Sequence, residues 1–143
     1  MHVSAILKDK GDRMITIAPE LSVSDAAKVL AQERIGAVLV VSGDGELAGI
    51  LSERDIVRGL SSVGVGLMGR KVEELMTKSV VTCSPSDEID HLMRNMTSHR
   101  IRHLPVVEDG KLSGVISIGD VVKFRLDELE SESSMLREYI EHG

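Results

Sequence analysis

The chain has 143 residues, the length of one ordinary domain, and 42% of them are hydrophobic, enough to bury a core. One Phe, one Tyr and no Trp predict a core of aliphatic side chains, and a net charge of −6 argues against nucleic-acid binding. The single cysteine, Cys83, excludes an internal disulfide. Neither a signal peptide nor an apolar run of about 18 residues is present, so we expect a cytoplasmic protein without a membrane span.

An internal repeat runs through most of the chain. Residues 15–41 align without a gap on residues 81–107 at an offset of 66, and the offset becomes 65 after the turn that follows. The segments that lead into the two copies also agree, because Val3-x-x-Ile6-Leu7 resembles Val72-x-x-Leu75-Met76. A repeat of this kind indicates that one supersecondary unit occurs twice.

Each copy predicts the element order β-α-β-β-α. The first helix of each copy has apolar residues at positions i, i+3, i+4 and i+7, which form one buried stripe. Asp44-Gly45 and Asp109-Gly110 are typical hairpin turns between the last two strands. The predicted strands are 15–17, 37–41 and 47–51 in the first copy, and 81–83, 104–107 and 112–116 in the second.

Serine residues are expected at the helix starts. Ser22 or Ser24 suits the N-terminus of the first copy's first helix, and Ser86 suits that of the second copy. The last helices begin at Ser52 and Ser117.

The fold class predicted from these elements is α+β. A small sheet with helices on one face cannot close a core alone, so the two copies are expected to pack with pseudo-twofold symmetry and to leave a ligand cleft between them. The predicted divisions are repeat 1 at 3–60, a linker at 61–71, repeat 2 at 72–125 and an acidic amphipathic C-terminal helix at 126–143.

The linker contains a glycine pattern of the form G-x-G-x-x-G, from Gly64 to Gly69. A dinucleotide-binding loop must follow a strand and open a helix. This segment follows a predicted helix, so we interpret it as a flexible linker.

Both copies read Gly-apolar-apolar-Ser-x-x-Asp where a strand meets a helix. One interpretation is a capping box, in which the serine and the acidic residue satisfy the first backbone N–H groups of the helix. The other is a ligand site, because such N–H groups attract phosphate and a carboxylate accepts hydrogen bonds from a ribose diol. The sequence leaves both interpretations open.

The motifs 49–55 and 114–120, together with 34–41 and 100–107, resemble a tandem pair of CBS (cystathionine β-synthase) domains over about residues 3–125. The segments 52–58, 96–107 and 116–123 resemble small stand-alone bacterial members of that family. The resemblance implies a non-catalytic regulatory module for energy sensing that binds AMP, ADP, ATP, NAD(H) or S-adenosylmethionine. It also implies a disc-shaped homodimer, either head-to-head or head-to-tail, and a protein target that the sequence does not identify.

The resemblance also implies roles for individual residues. Asp55 and Asp120 would hold the ribose, and Ser52 and Ser117 would face the phosphate. The ends of the first strands would lie along the base, and the residues that open the second strands would form the opposite wall. With the cationic residues that we consider next, the complete set of candidate nucleotide-binding residues is Thr16, Ile17, Gly36, Ala37, Ser52, Arg54 and Asp55 in the first copy, and Thr82, Cys83, Arg102, His103, Pro105, Ser117, Ile118 and Asp120 in the second.

Three cationic or titratable residues are not duplicated. Arg54 aligns with Gly119, while Arg102 and His103 align with Gly36 and Ala37. Our hypothesis is that these three contact phosphates, including those of a diphosphate such as NAD. The alternative is a solvated surface role.

Metal binding and catalysis are not expected. His99 and His103 are four residues apart, but His103 begins a strand, so the spacing does not make a zinc pair. No nucleophile with a partner base is readable from the sequence. The alternative to a ligand-binding module is a purely structural dimerisation module in which the Ser-x-x-Asp elements act only as helix caps.

The C-terminal helix carries a narrow apolar stripe on an acidic background. Its members are Val122, Leu126, Leu129, Leu136 and Ile140, with Ser133 interrupting them. The stripe either packs on its own domain or forms a dimer contact. We favour the dimer contact, because so small a protein leaves little core for so long a helix to cover.

Overall fold

The structure is a computed structural model that describes residues 2–10 and 14–142. Its α+β class agrees with the sequence-based prediction. Residues 11–13 of the predicted first repeat and Gly143 of the predicted C-terminal helix lie outside the described residues. The elements are α1 (Val3–Lys10), β1 (Thr16–Ile17), α2 (Val23–Glu33), β2 (Ala37–Val41), β3 (Leu47–Ser52), α3 (Glu53–Val63), α4 (Ile89–His99), β4 (His103–Glu108), β5 (Lys111–Ser117) and α5 (Ile118–His142), with 3₁₀ helices at Val65–Gly69 and Val72–Glu74.

The described chain forms two compact units. The first unit comprises residues 14–82 and 107–113, and the second comprises residues 2–10, 83–106 and 114–142. Residues 3–7, which lead into the first copy, therefore lie in the second unit with most of the second copy. Residues 72–76, which lead into the second copy, lie in the first unit with most of the first copy. In the second unit, the backbone N–H groups of Val3 and Ser4 donate to the carbonyls of Asp87 and Pro85, both at 2.9 Å.

In the first unit, the segment that leads into the second copy, residues 72–76, makes the equivalent contacts. The N–H groups of Val72 and Glu73 donate to the carbonyls of Leu21 and Pro19, at 2.8 and 3.0 Å. These four residues occupy the positions equivalent to those in the second unit. The two lead-in sequences are therefore similar because both segments make the same backbone contacts. Val3 and Val72 are both fully buried.

The first unit contains a three-stranded sheet in the order β1-β2-β3. Strand β1 runs parallel to β2, and β2 runs antiparallel to β3. The helical stripe predicted for α2 is buried against this sheet, which confirms an aliphatic core. The buried cluster is Ile17, Val23, Ala26, Leu30, Val38, Val40, Leu51, Ile56, Leu67 and Val72.

The two Asp-Gly turns differ, which explains the change of repeat offset. Asp109 and Gly110 both have positive φ (53° and 79°), so they form a two-residue hairpin loop. In the first copy, Gly45 has φ 88° and the N–H of Ser42 donates to the carbonyl of Glu46 at 2.9 Å. That loop is one residue longer, and the β2–β3 register shifts beside it.

The strand predicted at 81–83 is wrong for most of its length. Only Cys83 pairs, in an isolated parallel bridge with Val106, and its N–H donates to the carbonyl of Pro105 at 2.9 Å. The equivalent of Pro105 in the first copy is Leu39, which pairs with β1. Because proline has no N–H to donate, the ladder in the second copy cannot continue.

The helix starts confirm one predicted cap and correct another. Ser22 caps α2, since its Oγ accepts a hydrogen bond from the N–H of Asp25 at 3.1 Å. Ser86 does not cap α4, whose N-cap position is Glu88, without a side-chain cap. Ser86 lies two residues before that position, and its Oγ is 3.1 Å from Ser84 Oγ.

Helical structure occupies much of the predicted flexible linker. Helix α3 continues to Val63, and the 3₁₀ helix Val65–Gly69 packs against α2 and α3. Leu67 is only 2% exposed. Leu67 belongs to the buried core cluster and the neighbouring Met68 packs against that cluster, so the segment is anchored to the first unit.

Candidate functional site

The Ser-x-x-Asp motif forms a complete capping box at the start of α3. The N–H of Asp55 donates to Ser52 Oγ at 3.1 Å, and the N–H of Ser52 donates to Asp55 Oδ2 at 3.0 Å. At the start of α5, the N–H of Asp120 donates to Ser117 Oγ at 3.1 Å, and the N–H of Ser117 donates to Asp120 Oδ2 at 2.9 Å. The capping interpretation is therefore confirmed in both copies.

Capping leaves acceptor capacity on the Asp55 carboxylate. The side chain is 9% exposed, and the Thr77 hydroxyl lies 3.4 Å from Oδ1 and 3.5 Å from Oδ2. A carboxylate offers about four lone-pair sites, and the cap occupies one of them. The Thr77 contact is long for a hydroxyl hydrogen bond. Asp55 can thus serve the backbone and still accept hydrogen bonds from a ligand.

Backbone contacts hold the residues that open each second strand against the start of the last helix. In the first unit, the carbonyl of Gly36 accepts a hydrogen bond from the N–H of Glu53 at 2.9 Å, and Ala37 lies opposite Ser52 in the β2–β3 register. In the second unit, the carbonyl of Arg102 accepts from the N–H of Ile118 at 2.8 Å. The structure brings together these parts of the predicted site in both copies.

The ends of the first strands lie beside the same second strands. Thr16 pairs with Leu39, two residues along β2 from Ala37, and Ile17 pairs with Val40. In the second copy, Thr82 is the residue before Cys83, which forms the bridge with Val106. Thr16 and Thr82 are exposed, whereas Ile17 and Cys83 are buried. The threonines are the accessible members of these pairs, and Ile17 and Cys83 pack into the core.

Cys83 is held in its neutral form. Burial raises the pKa of the Cys83 thiol from 9.0 to about 12, and the nearby Asp87 carboxylate acts in the same direction. A buried thiol with so high a pKa is a poor nucleophile near neutral pH. Cys83 therefore contributes packing and backbone groups.

The three residues predicted to contact phosphate, two arginines and a histidine, are all exposed. Arg54 lies in the first turn of α3, Arg102 precedes β4, and His103 begins β4. None of the three makes an ion pair or a side-chain hydrogen bond with the described part of the chain. Arg54 belongs to the first unit and the other two to the second.

A cavity of about 240 Å³ lies next to Asp55 in the first unit, on the side of α3 that faces the two 3₁₀ helices. Arg58 and Arg70 are two cations at its edge that the sequence did not single out as a pair. Arg58 follows Asp55 by one helical turn, which is the signal that places them on one face. Arg70 and Thr77 follow α3, and no local sequence pattern indicates their positions. The lining residues are Asp55, Arg58, Gly59, Ser62, Val63, Leu67, Arg70, Glu74 and Leu75.

The histidines do not assemble into a metal site within residues 2–10 and 14–142, where no group of three potential metal-binding side chains occurs. His99 lies at the end of α4, with its Nδ1 3.0 Å from the carbonyl of Asn95. His103 is on the strand that follows. His91 is exposed and lies 3.4 Å from the Asn95 amide. Across the same described ranges, no helix is both long and apolar enough to cross a membrane.

A family model for the CBS domain matches the chain twice, at residues 6–62 and 72–127. The two matches cover most of the sequence and include both Ser-x-x-Asp motifs. The chain therefore belongs to the CBS domain family, as a tandem pair. CBS pairs are regulatory domains, and this defines the class of protein.

Solved structures of CBS pairs resemble the chain along most of its length. A CBS-domain protein from Agrobacterium tumefaciens is 44% identical, with a TM-score of 0.74 over 87% of this chain and 92% of that one. The protein CBSX2, solved in complex with AMP, is 27% identical, with a TM-score of 0.75 over 88% of this chain and 96% of that one. The CBS pair of MJ0100, solved with 5′-methylthioadenosine and S-adenosylmethionine, is also 27% identical, with a TM-score of 0.71 over 90% of this chain and 98% of that one.

Proposed function

We propose that the protein is a non-catalytic regulatory module that binds an adenine nucleotide in each CBS copy and passes the ligand state to a protein target. AMP, ADP, ATP and NAD(H) are the proposed ligands, and sensing of the adenine nucleotide supply is the proposed role. The observation that carries this proposal is the duplicated carboxylate at a helix start, and in the first copy the Asp55 carboxylate has more lone-pair sites than its cap uses. The AMP and S-adenosylmethionine complexes of the two similar CBS pairs support the adenosyl class of ligand.

The proposed nucleoside contacts follow from the chemistry of each group. Asp55 and Asp120 accept hydrogen bonds from the ribose hydroxyls, which a side chain without an acceptor atom could not do. Ser52 and Ser117, with the first N–H groups of their helices, face the phosphate. Gly36 and Ala37 line one side of the first site, and the exposed Thr16 lies along the base. In the second site, His103 and Thr82 take the corresponding places.

We propose that the two sites differ in their phosphate preference. The exposed Arg102 and His103 open β4 in the second copy, while Gly36 and Ala37 are the neutral equivalents in the first. Arg54 at the start of α3 is matched by Gly119. Since none of the three has an ionic partner among the described residues of its own unit, each is available for an anionic ligand.

Substitution of the two aspartates separates ligand binding from capping. Asparagine retains a side-chain oxygen for the cap but has no charge and one fewer acceptor. We expect Asp55→Asn or Asp120→Asn to weaken AMP at its own site by about tenfold or more, because hydrogen bonds to charged groups contribute about 1.5–3 kcal/mol. Calorimetric titration with AMP measures this, and thermal unfolding confirms that each variant still folds.

The controls in the same titration test the phosphate contacts and the alternative function. Arg54→Ala should weaken AMP more than adenosine, because only AMP carries a phosphate. Equal losses for the two ligands would remove Arg54 from the phosphate contacts. If both aspartate variants bind AMP as the wild type does, the motifs are caps only and the alternative of a purely structural dimerisation module stands.

We further propose that the module acts as a homodimer in the cytoplasm. The apolar side chains exposed on α5 support self-association. No metal is required in this proposal, since phosphate is contacted through cations and helix N–H groups.

A further inference from the structure

The C-terminal part of α5 is an uncovered helix with a regular apolar stripe. Residues 129–141 are all exposed, including Leu129 at 60%, Leu136 at 61% and Ile140 at 71%. The earlier turns of α5 pack against α1 and α4, and Arg125 pairs with Asp90 in the same unit. The described residues of the chain therefore leave the apolar side chains of this extension uncovered.

The stripe has the spacing of a two-stranded coiled coil. Six positions alternate at intervals of four and three residues, the pattern of successive d and a positions of a heptad. Five of them are apolar and one is polar. They are Val122, Leu126, Leu129, Ser133, Leu136 and Ile140.

The flanking charges distinguish between the two possible orientations of a pair that aligns all six positions. A parallel pair places Arg125 opposite Glu130 of the partner subunit, and Glu132 opposite Arg137 of the partner subunit. An antiparallel pair places Glu130 opposite its own copy, Glu132 opposite its own copy and Lys123 near Arg137 of the partner subunit. Only the parallel arrangement brings opposite charges together.

We propose that α5 forms a parallel coiled coil with α5 of a second copy of this chain. Ser133 then faces the partner's Ser133 at a central a position, where a polar residue fixes register at a cost in stability. Because Arg125 already contacts Asp90 and Glu128 within its own chain, the pair between Glu132 and the partner's Arg137 determines the orientation. This inference rests on the proposed homodimer and is independent of nucleotide binding.

Charge reversal tests the orientation. Arg137→Glu should weaken the dimer about tenfold, because two symmetric attractive pairs become repulsive. Adding Glu132→Arg to that variant should restore dimerisation in sedimentation measurements. If Arg137→Glu strengthens the dimer instead, the new carboxylate faces Lys123 of the partner subunit, the helices pair in the antiparallel direction and the proposal is wrong.

A cysteine at the polar position tests the register. Ser133→Cys should form an intermolecular disulfide on mild oxidation, because the two side chains face each other in the parallel register. Ser134→Cys, the same substitution one residue away on the outer face, is the matched control and should remain reduced. The native Cys83 is buried and serves as the background. Equal cross-linking at positions 133 and 134 contradicts the proposed register.

Apolar substitutions distinguish a wrong interface from the absence of a dimer. Leu129→Asp with Leu136→Asp should yield monomers that keep the AMP affinity of the wild type. A double variant as dimeric as the wild type means that the chain dimerises through another surface, and the coiled coil is then wrong. A monomeric wild type contradicts both the coiled coil and the proposed homodimer, and neither outcome bears on ligand binding.

Discussion

At the scale of single residues, Asp55 and Asp120 each cap a helix, and the proposed function adds ligand binding to this role. One carboxylate oxygen accepts a hydrogen bond from the N–H of the preceding serine, as the helix start requires. The Asp55 carboxylate has further acceptor sites, and in the proposed function a ribose diol uses them. An acidic residue at this position is also stabilised by the helix dipole, so the helix start tolerates its negative charge at little cost to stability.

The Cys83 thiol predicts a pH effect on stability. The unfolded chain loses this proton near pH 9, while the folded chain keeps it to about pH 12 because burial raises the pKa of the thiol. The unfolded state then binds fewer protons, so the free energy of unfolding should fall as pH rises through this range. Below pH 9 the thiol should make no such contribution.

Urea unfolding of the wild type and Cys83→Ala at about pH 8 and pH 10 measures this difference. The loss of stability between these pH values should be smaller in the alanine variant, since other groups titrate equally in both. Folded wild type should also react slowly with a thiol reagent. Reaction as fast as that of an exposed cysteine would contradict the buried, protonated thiol.

At the scale of elements, the glycine of each motif allows a lead-in segment to cross a strand closely. A methyl group on Gly49 would lie 2.6 Å from the carbonyl oxygen of Thr77 and 2.9 Å from Met76 Sδ. On Gly114 it would meet the end of the Leu7 side chain. The motif glycines therefore reflect packing of the lead-ins, in addition to any part in a site.

The two glycines should differ in their tolerance of alanine. Gly49→Ala forces a backbone carbonyl to move and should cost about 1–3 kcal/mol, the usual cost of overpacking. Gly114→Ala should cost less, because the flexible end of Leu7 can turn away. The free energies of unfolding in urea give both values. Equal costs would show that the backbone contact at Gly49 does not limit substitution at that position.

The repeat made most elements predictable, because every pattern could be read twice. Strand β2 begins and ends at the predicted residues, and Ser52 is the N-cap residue of α3, one residue before the helix begins. The strand predicted at 81–83 is shortened by Pro105, because a proline in the neighbouring strand removes the N–H that the pairing needs. The contact between Thr77 and Asp55 could not be predicted, because it joins residues 22 positions apart through tertiary packing.

At the scale of the whole molecule, duplication and divergence have separate consequences. The serines and aspartates are duplicated, and with them the proposed nucleoside contacts. Arg54, Arg102 and His103 each occur in only one of the two copies, so the proposed sites differ in their phosphate contacts. The exposed stripe of α5 has no counterpart in the first copy, where α3 ends at Val63, so the proposed self-association involves α5 alone.

The central claim is that the duplicated motifs bind an adenosyl ligand. Mass spectrometry of small molecules released on denaturation of the purified protein tests this claim most directly, with the Asp55→Asn, Asp120→Asn double variant as the control. The wild type should release an adenine nucleotide, and the folded double variant should release much less. Equal release from both proteins would contradict the assigned residues. A wild type that releases no adenosine-containing molecule, and binds none when AMP, ATP, NAD or S-adenosylmethionine is added, would contradict the proposed function.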